Sequence, residues 1–157
     1  SGASCITFGV GASALSAADL AQKLQRIGLP SLNSADTHVQ LVHGALASPG
    51  SVAVAFSFGG HTAEIHRCLE LAKQRGALTV AVTGAPDSPV GKAADVVLLT
   101  SAREAQLRAA ALASRMTQLA VVDFLFVRVA QLRFDDIEAA LERTRAAVLG
   151  QRLLPDG

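Results

Sequence analysis

Two short stretches of this 157-residue chain set glycines beside hydroxyl side chains where an apolar run gives way to a helical pattern. They are Gly9-Val10-Gly11-Ala12-Ser13 and Ser57-Phe58-Gly59-Gly60-His61-Thr62. Turns of this kind suit an anion. The first backbone N–H groups of a helix have no partner within it, and the helix dipole is positive at that end. Glycine lets such a backbone approach an oxyanion closely, a role open to Gly11, Gly59 and Gly60. Ser13, Ser57 and Thr62 add hydroxyl donors. For any one of these hydroxyls taken alone, ordinary helix capping is the better explanation, because Ser and Thr are favoured caps. Two such turns in one chain are the more specific signal.

Proton-transfer chemistry has fewer candidates. Moving a proton on or off carbon needs a base, commonly a carboxylate or His, placed at the atoms that exchange it. The residues of those types near strand ends or in early helical turns are His38, His43, His61, His66, Glu64 and Glu104. No two of them stand out as an acid and base pair. His43 and His66 fall a turn or more into helical segments and read as structural or solvent-facing. Glu104 and Arg103 follow a predicted fifth strand; Glu104 can reach the crevice there to hydrogen-bond a ligand, whereas Arg103 suits a solvated helix start. His38, beside Asp36, is a further ligand-contact candidate. The first turn also fits the dinucleotide fingerprint G-x-G-x-x-[GA], as Gly9-Val10-Gly11-Ala12-Ser13-Ala14. That reading needs an acidic residue at the end of the second strand for a ribose, and Asp36 lies beyond the short strand at Ser31-Leu32. Binding without catalysis is preferred to either alternative, and neither a cofactor nor a metal ion is expected.

The elements that must position these turns follow from apolar periodicity. Cys5 to Phe8 is a β-favouring run, and Ala14 to Ile27 then repeats apolar residues at helical spacing. Gly28-Leu29-Pro30 ends that helix, Ser31-Leu32 forms a brief strand, and Thr37 to Ala47 resumes a helix. Val52 to Phe56 is continuously apolar, as in a parallel strand covered on both faces, and a helix follows from about Thr62 to Arg75. Leu78 to Thr83 and Val96 to Leu99 are further strands, with a helical turn near Val90 to Ala93 between them. Helix runs from about Ala102 to Leu132 and again from Phe134 to Leu149. This alternation predicts a three-layer αβα sandwich of flavodoxin-like type around a five-stranded parallel sheet of order 2-1-3-4-5. In that order the strand sequence reverses between the first and third strands, and the turns after those two strands flank the crevice where open α/β sheets bind ligands.

Length and an apolar fraction of 50% fit one domain, taken as residues 1–150 with a flexible tail at 151–157. Fourteen basic and 13 acidic residues leave a net charge of +1, and the scattered basic residues make no nucleic-acid footprint. Cys5 and Cys68 have neither metal-ligand spacing nor a disulfide pattern and read as buried free thiols of a cytoplasmic protein. The apolar stretch from Leu119 to Val127 carries Asp123 and is too short to span a bilayer. Its helix, from Met116 to Val129, is apolar on more than one face, so part of it is expected to meet a second subunit.

At these positions the chain resembles the SIS (sugar isomerase) domain, most closely the C-terminal effector-binding domain of RpiR-type transcriptional regulators. The resemblance runs through both turns, Lys23 to Gly28, Asp36 to Leu41, Thr83-Gly84 with Ser88-Pro89-Val90, Ala94 to Leu98, and Ser114 to Leu119 leading to Asp123. It implies a phosphosugar ligand contacted by Ser13, Ser57 and Thr62, and a homodimer or homotetramer that would let His38 reach the site from a neighbouring subunit. It also implies that DNA is bound only through a helix-turn-helix domain expected upstream of Ser1. Where the family's second turn usually reads Ser-x-Ser-Gly-x-Thr, often with Glu before the Thr, this chain has Gly59 for the second Ser and His61 for the Glu.

Overall fold

Short runs of small and β-branched apolar residues form five strands, joined by helices that return each strand to the same direction. The computed structural model describes residues 4–101 and 110–150. In chain order the elements are β1 (Cys5–Gly9), α1 (Ala12–Arg26), β2 (Ser31–Leu32), α2 (Thr37–Ala45), β3 (Val52–Phe56) and α3 (Ala63–Gln74). There follow β4 (Leu78–Thr83), α4 (Pro89–Ala93), β5 (Val96–Leu99), α5 (Ala110–Leu132) and α6 (Phe134–Leu149). All strand pairs are parallel and the sheet order is β2-β1-β3-β4-β5, as the alternation predicts. The first part of the helix expected from Ala102, and the tail at 151–157, lie outside the described residues.

Strand side chains alternate between the two faces. Ile6, Phe8, Ala53, Ala55 and Ala81 join Ile65, Cys68, Leu69 and Ala72 of α3 and Val90 of α4 in one core. Val54, Phe56, Val80 and Val82 join Leu20 and Leu24 of α1, Val122 of α5 and Ile137 of α6 in the other. The alanines on the first face let α3 lie close to the sheet. Lys23 is salt-bridged to Asp19 on its own helix and to Asp123 on α5, tying the two helices of the second layer together. The hydrogen bonds it donates to Asp123 and Asp19 hold its ammonium above the ordinary lysine range.

The two thiols differ more than the sequence implies. Cys68 is fully buried, and desolvation pushes its thiol up to about 11. Cys5 is only half-buried, on the wall of an apolar cavity of about 240 Å³ at the amino ends of the strands. Desolvation still pushes it up to about 12, which leaves the thiolate scarce.

Asp95 joins the starts of β4 and β5. Its carboxylate accepts from the Thr79 N–H at 2.9 Å and the Thr79 hydroxyl at 2.8 Å, and pairs with Lys73 at 2.7 Å. The Lys73 hydrogen bond and those from Thr79 hold the carboxyl down at about 2. A carboxyl with a depressed folded pKa stabilises the fold above its unfolded value, about 4, and loses that contribution as pH falls toward 2. Asp95→Asn is therefore expected to melt below the parent protein at pH 7, with the gap closing between about pH 4 and pH 2. Paired thermal melts across that range test this; a gap independent of pH would refute the role given to the charge.

Candidate functional site

Pairing of β1 with β3 sets Gly9 opposite Phe56. The chain therefore leaves two neighbouring strands at the same level, and 10–13 lies beside 57–62. These are the strands between which the sheet order reverses, with β1 continuing to β2 on one side and β3 to β4 on the other.

In the first turn the backbone doubles back tightly. A Cβ on Gly9 would lie 2.5 Å from the Ser13 carbonyl oxygen, so only glycine permits α1 to start there. Gly11 is the N-cap of α1, with φ 60° and no side chain to close the helix end. Two buried glutamines brace the turn from opposite sides. Gln40, on α2, accepts from the Gly9 N–H at 3.1 Å and donates to the Gly9 carbonyl at 2.9 Å and the Ser34 carbonyl at 2.9 Å. Gln118, on α5, donates to the Ser13 hydroxyl oxygen at 3.0 Å and accepts from the Ser16 hydroxyl at 3.1 Å.

The second turn is held from below by β4 and α4. The Phe58 carbonyl accepts from the Gly84 N–H at 2.9 Å and the Thr83 hydroxyl at 3.1 Å, and the Gly60 carbonyl accepts from the Val90 N–H at 3.1 Å. The Gly60 N–H, a candidate anion donor by sequence, is engaged within the turn, donating to the Ser57 hydroxyl oxygen at 3.2 Å. The Thr62 hydroxyl lies 3.4 Å from that of Ser57, a loose contact for two hydroxyls. Gly59 is exposed, with no atom within 4 Å of where its Cβ would be, so the hydroxyl the family usually has here is absent for no steric reason. The ring Nδ1 of His61 lies 2.6 Å from the Gly59 carbonyl. A carbonyl can only accept, so Nδ1 carries the proton and the exposed ring offers Nε2 outward from the turn's own hydrogen bond.

Capping separates these helix ends from those of α2 and α4, which also follow strands. Asp36 caps α2, accepting from the His38 and Val39 N–H groups, and Ser88 caps α4, accepting from the Gly91 N–H. Neither α1 nor α3 has a side-chain cap: Thr62 sits at the N-cap of α3 with its hydroxyl unused for capping. The capping explanation offered by the sequence for Ser13 and Thr62 thus fails, and both hydroxyls stand at uncapped helix ends. The role of Asp36 as a cap also engages the carboxylate that a dinucleotide ribose would need.

Of the other candidates, His38 is exposed at the start of α2, at the same end of the sheet as Gly9. Glu64 is exposed in the first turn of α3, while His43 and His66 are half-buried on their helices. Glu104 and Arg103 lie outside the described residues. Gln40 and Gln118 were not among the candidates, because a glutamine within a helical repeat reads the same whether it faces solvent or a buried turn.

Gly60 has φ 69°, and a Cβ on it would come within 1.8 Å of the Ser88 hydroxyl oxygen. Gly60→Ala is expected to destabilise the domain by about 2 kcal/mol or more, combining left-handed strain with the clash. Chemical denaturation reads this directly; a loss below about 0.5 kcal/mol would contradict the packing described.

The sequence matches the SIS domain profile over residues 3–128. The chain belongs to the SIS domain family. It is 42% identical over 145 residues to an uncharacterized HTH-type transcriptional regulator of Caldanaerobacter subterraneus subsp. tengcongensis, covering 92% of this chain and 51% of the regulator. This SIS domain therefore spans about half the length of that relative. Its structure is similar to that of the Vibrio vulnificus NanR protein complexed with ManNAc-6P, with TM-score 0.87, 27% identity, and coverage of 97% of this chain and 58% of NanR. It also shares its fold with the sugar isomerase domain of an RpiR transcription factor from Sphaerobacter thermophilus, with TM-score 0.79, 24% identity, and coverage of 92% and 79%. The expected kinship with SIS domains of transcriptional regulators is thereby met.

Proposed function

We propose that this SIS domain is the phosphosugar-sensing effector domain of a cytoplasmic RpiR-type transcriptional regulator, and that it binds its ligand without transforming it. The observation that carries the reading is the pair of uncapped helix ends, α1 and α3, side by side at the sheet's reversal point with Ser13 and Thr62 on them. The Ala14 N–H is taken by the Gly11 carbonyl at 3.1 Å, and the N–H groups before it in the first turn are of the kind that suit a phosphate. The sugar extends from the phosphate past Gly59 and His61, and the open space at Gly59 admits a substituent that the usual serine would crowd. NanR, whose structure holds ManNAc-6P, supports a sugar phosphate as the ligand class. The 42%-identical regulator supports sensing over isomerisation, with DNA bound by a separate helix-turn-helix domain.

A thermal-shift panel of sugar phosphates including ManNAc-6P, with nicotinamide dinucleotides as the competing class, tests the ligand. Sugar phosphates are expected to stabilise by about 2.7 kcal/mol at a hundredfold excess over Kd, and dinucleotides not at all. Ser13→Ala and Thr62→Ala are each expected to weaken binding by about 1 to 3 kcal/mol. Unchanged affinity in both would refute the site, and solvent proton exchange into the sugar would make the protein an isomerase.

A regulator of this kind acts as a homo-oligomer, and α5 is the surface proposed for it. Val122 of α5 is fully buried, whereas Leu112 is 60%, Met116 63% and Phe124 73% exposed, with the exposed Ala120 between the last two. These residues recur every fourth position and form one stripe. A twofold axis at Ala120 pairs Met116 with Phe124 across it, and the small side chain lets the two copies of α5 approach closely. Phe124→Asp is expected to yield monomers in sedimentation velocity with an unchanged far-UV spectrum. An unaltered oligomer would place the interface elsewhere.

A further inference from the structure

We infer that Gln118 is a positioning residue for the sugar-phosphate site, one that orients the Ser13 hydroxyl so that it donates to the ligand; the inference rests on the reading of the site given above. Gln118 is 1% exposed and Ser16 is fully buried, so neither side chain has water as an alternative partner. Their bonds run in one direction. Ser16 donates to the Gln118 carbonyl oxygen at 3.1 Å, and the Gln118 amide donates to the Ser13 hydroxyl oxygen at 3.0 Å. A carboxamide accepts only at its oxygen and donates only at its nitrogen, so while Ser16 donates to that oxygen the amide nitrogen is the end that faces Ser13.

Ser13 thereby accepts from inside the protein, and its own proton is left for an acceptor outside. The usual inward alternative for a helical serine is the carbonyl four residues back. Here that carbonyl belongs to Gly9 and is engaged by Gln40 at 2.9 Å. An ionised phosphate oxygen above the turn has only lone pairs to offer and so takes the Ser13 proton. Donation from Gln118 into the same hydroxyl polarises it and strengthens that bond. The device also accounts for a buried glutamine on α5, which packs on the core through apolar residues such as Val122 and Leu125.

The test is a set of affinity measurements by calorimetry with ManNAc-6P and with inorganic phosphate. Gln118→Met removes the donor at nearly constant shape, and Ser16→Ala leaves Gln118 in place but frees its orientation while substituting a good helix former. Each is expected to bind about tenfold more weakly than the parent. Gln118→Glu is expected to lose more, because its carboxylate accepts from both serines, turns the Ser13 proton inward and adds negative charge. In a Ser13→Ala background, Gln118→Met and Ser16→Ala are expected to change affinity by less than about twofold, because the hydroxyl they orient is gone. A purely structural role would weaken binding equally in both backgrounds, and that result overturns the inference, as does unchanged affinity in folded Ser16→Ala protein. If Ser13→Ala itself binds both probes as the parent does, the assignment of the site fails instead.

Discussion

The register of β1 against β3 is the constraint on which the rest of the molecule turns. With Gly9 opposite Phe56, two strands end at the same level and two turns rise beside one another. A slip of one residue would exchange the faces of β1 and send Ile6 and Phe8 from the α3 side to the α1 side. The core resists such a slip because its faces differ: small alanines on β3 and β4 face α3, while Val54, Phe56, Val80 and Val82 face α1. Core packing, which has no chemistry of its own, thus aligns the two helix ends proposed as the site.

Local bonds then make the turns rigid, and they do so differently. The first turn is gripped by two buried carboxamides from helices on opposite faces of the sheet, Gln40 of α2 and Gln118 of α5. The second is held by backbone bonds to β4 and α4, with Ser57 closing it from within. Each arrangement leaves its helix end without a side-chain cap, while the Ser13 hydroxyl accepts from Gln118 and that of Thr62 rests loosely against Ser57. A side-chain cap is worth about 1 kcal/mol to a helix, so leaving α1 and α3 without one costs stability that α2 and α4 retain. The helix ends proposed to receive the phosphate are thus ends that no side chain closes.

Most of the fold was legible in the sequence because its signals are local. Continuous apolar runs such as Val52 to Phe56 mark buried parallel strands, and Gly-Pro punctuation separates them from helices. Strand order followed from the rules of connection. The two turns were legible too, as glycines next to hydroxyls, but which groups are free was not. That depends on contacts distant in sequence: Gln118 meets Ser13 across 105 residues, and Gln40 meets Gly9 across 31. Likewise the Gly60 N–H resembled an anion donor until Ser57 was seen to accept it. The half-exposure of Cys5 depends on how α1 and α5 diverge around a cavity, which no local pattern encodes.

The departures in the second turn are best understood through what surrounds them. Gly60 cannot change, because its φ of 69° and its approach to Ser88 exclude a side chain. Gly59, one residue earlier, meets nothing, so its lack of a side chain answers to no packing demand. His61 in turn leans on the Gly59 carbonyl, fixing its ring to the same peptide that the missing side chain leaves open. The two replacements therefore act as one local change, which removes a hydroxyl and sets an imidazole beside the vacated space. On the proposed reading, in which the first turn and Thr62 hold the phosphate, the change falls on the part of the site that would distinguish one sugar from another.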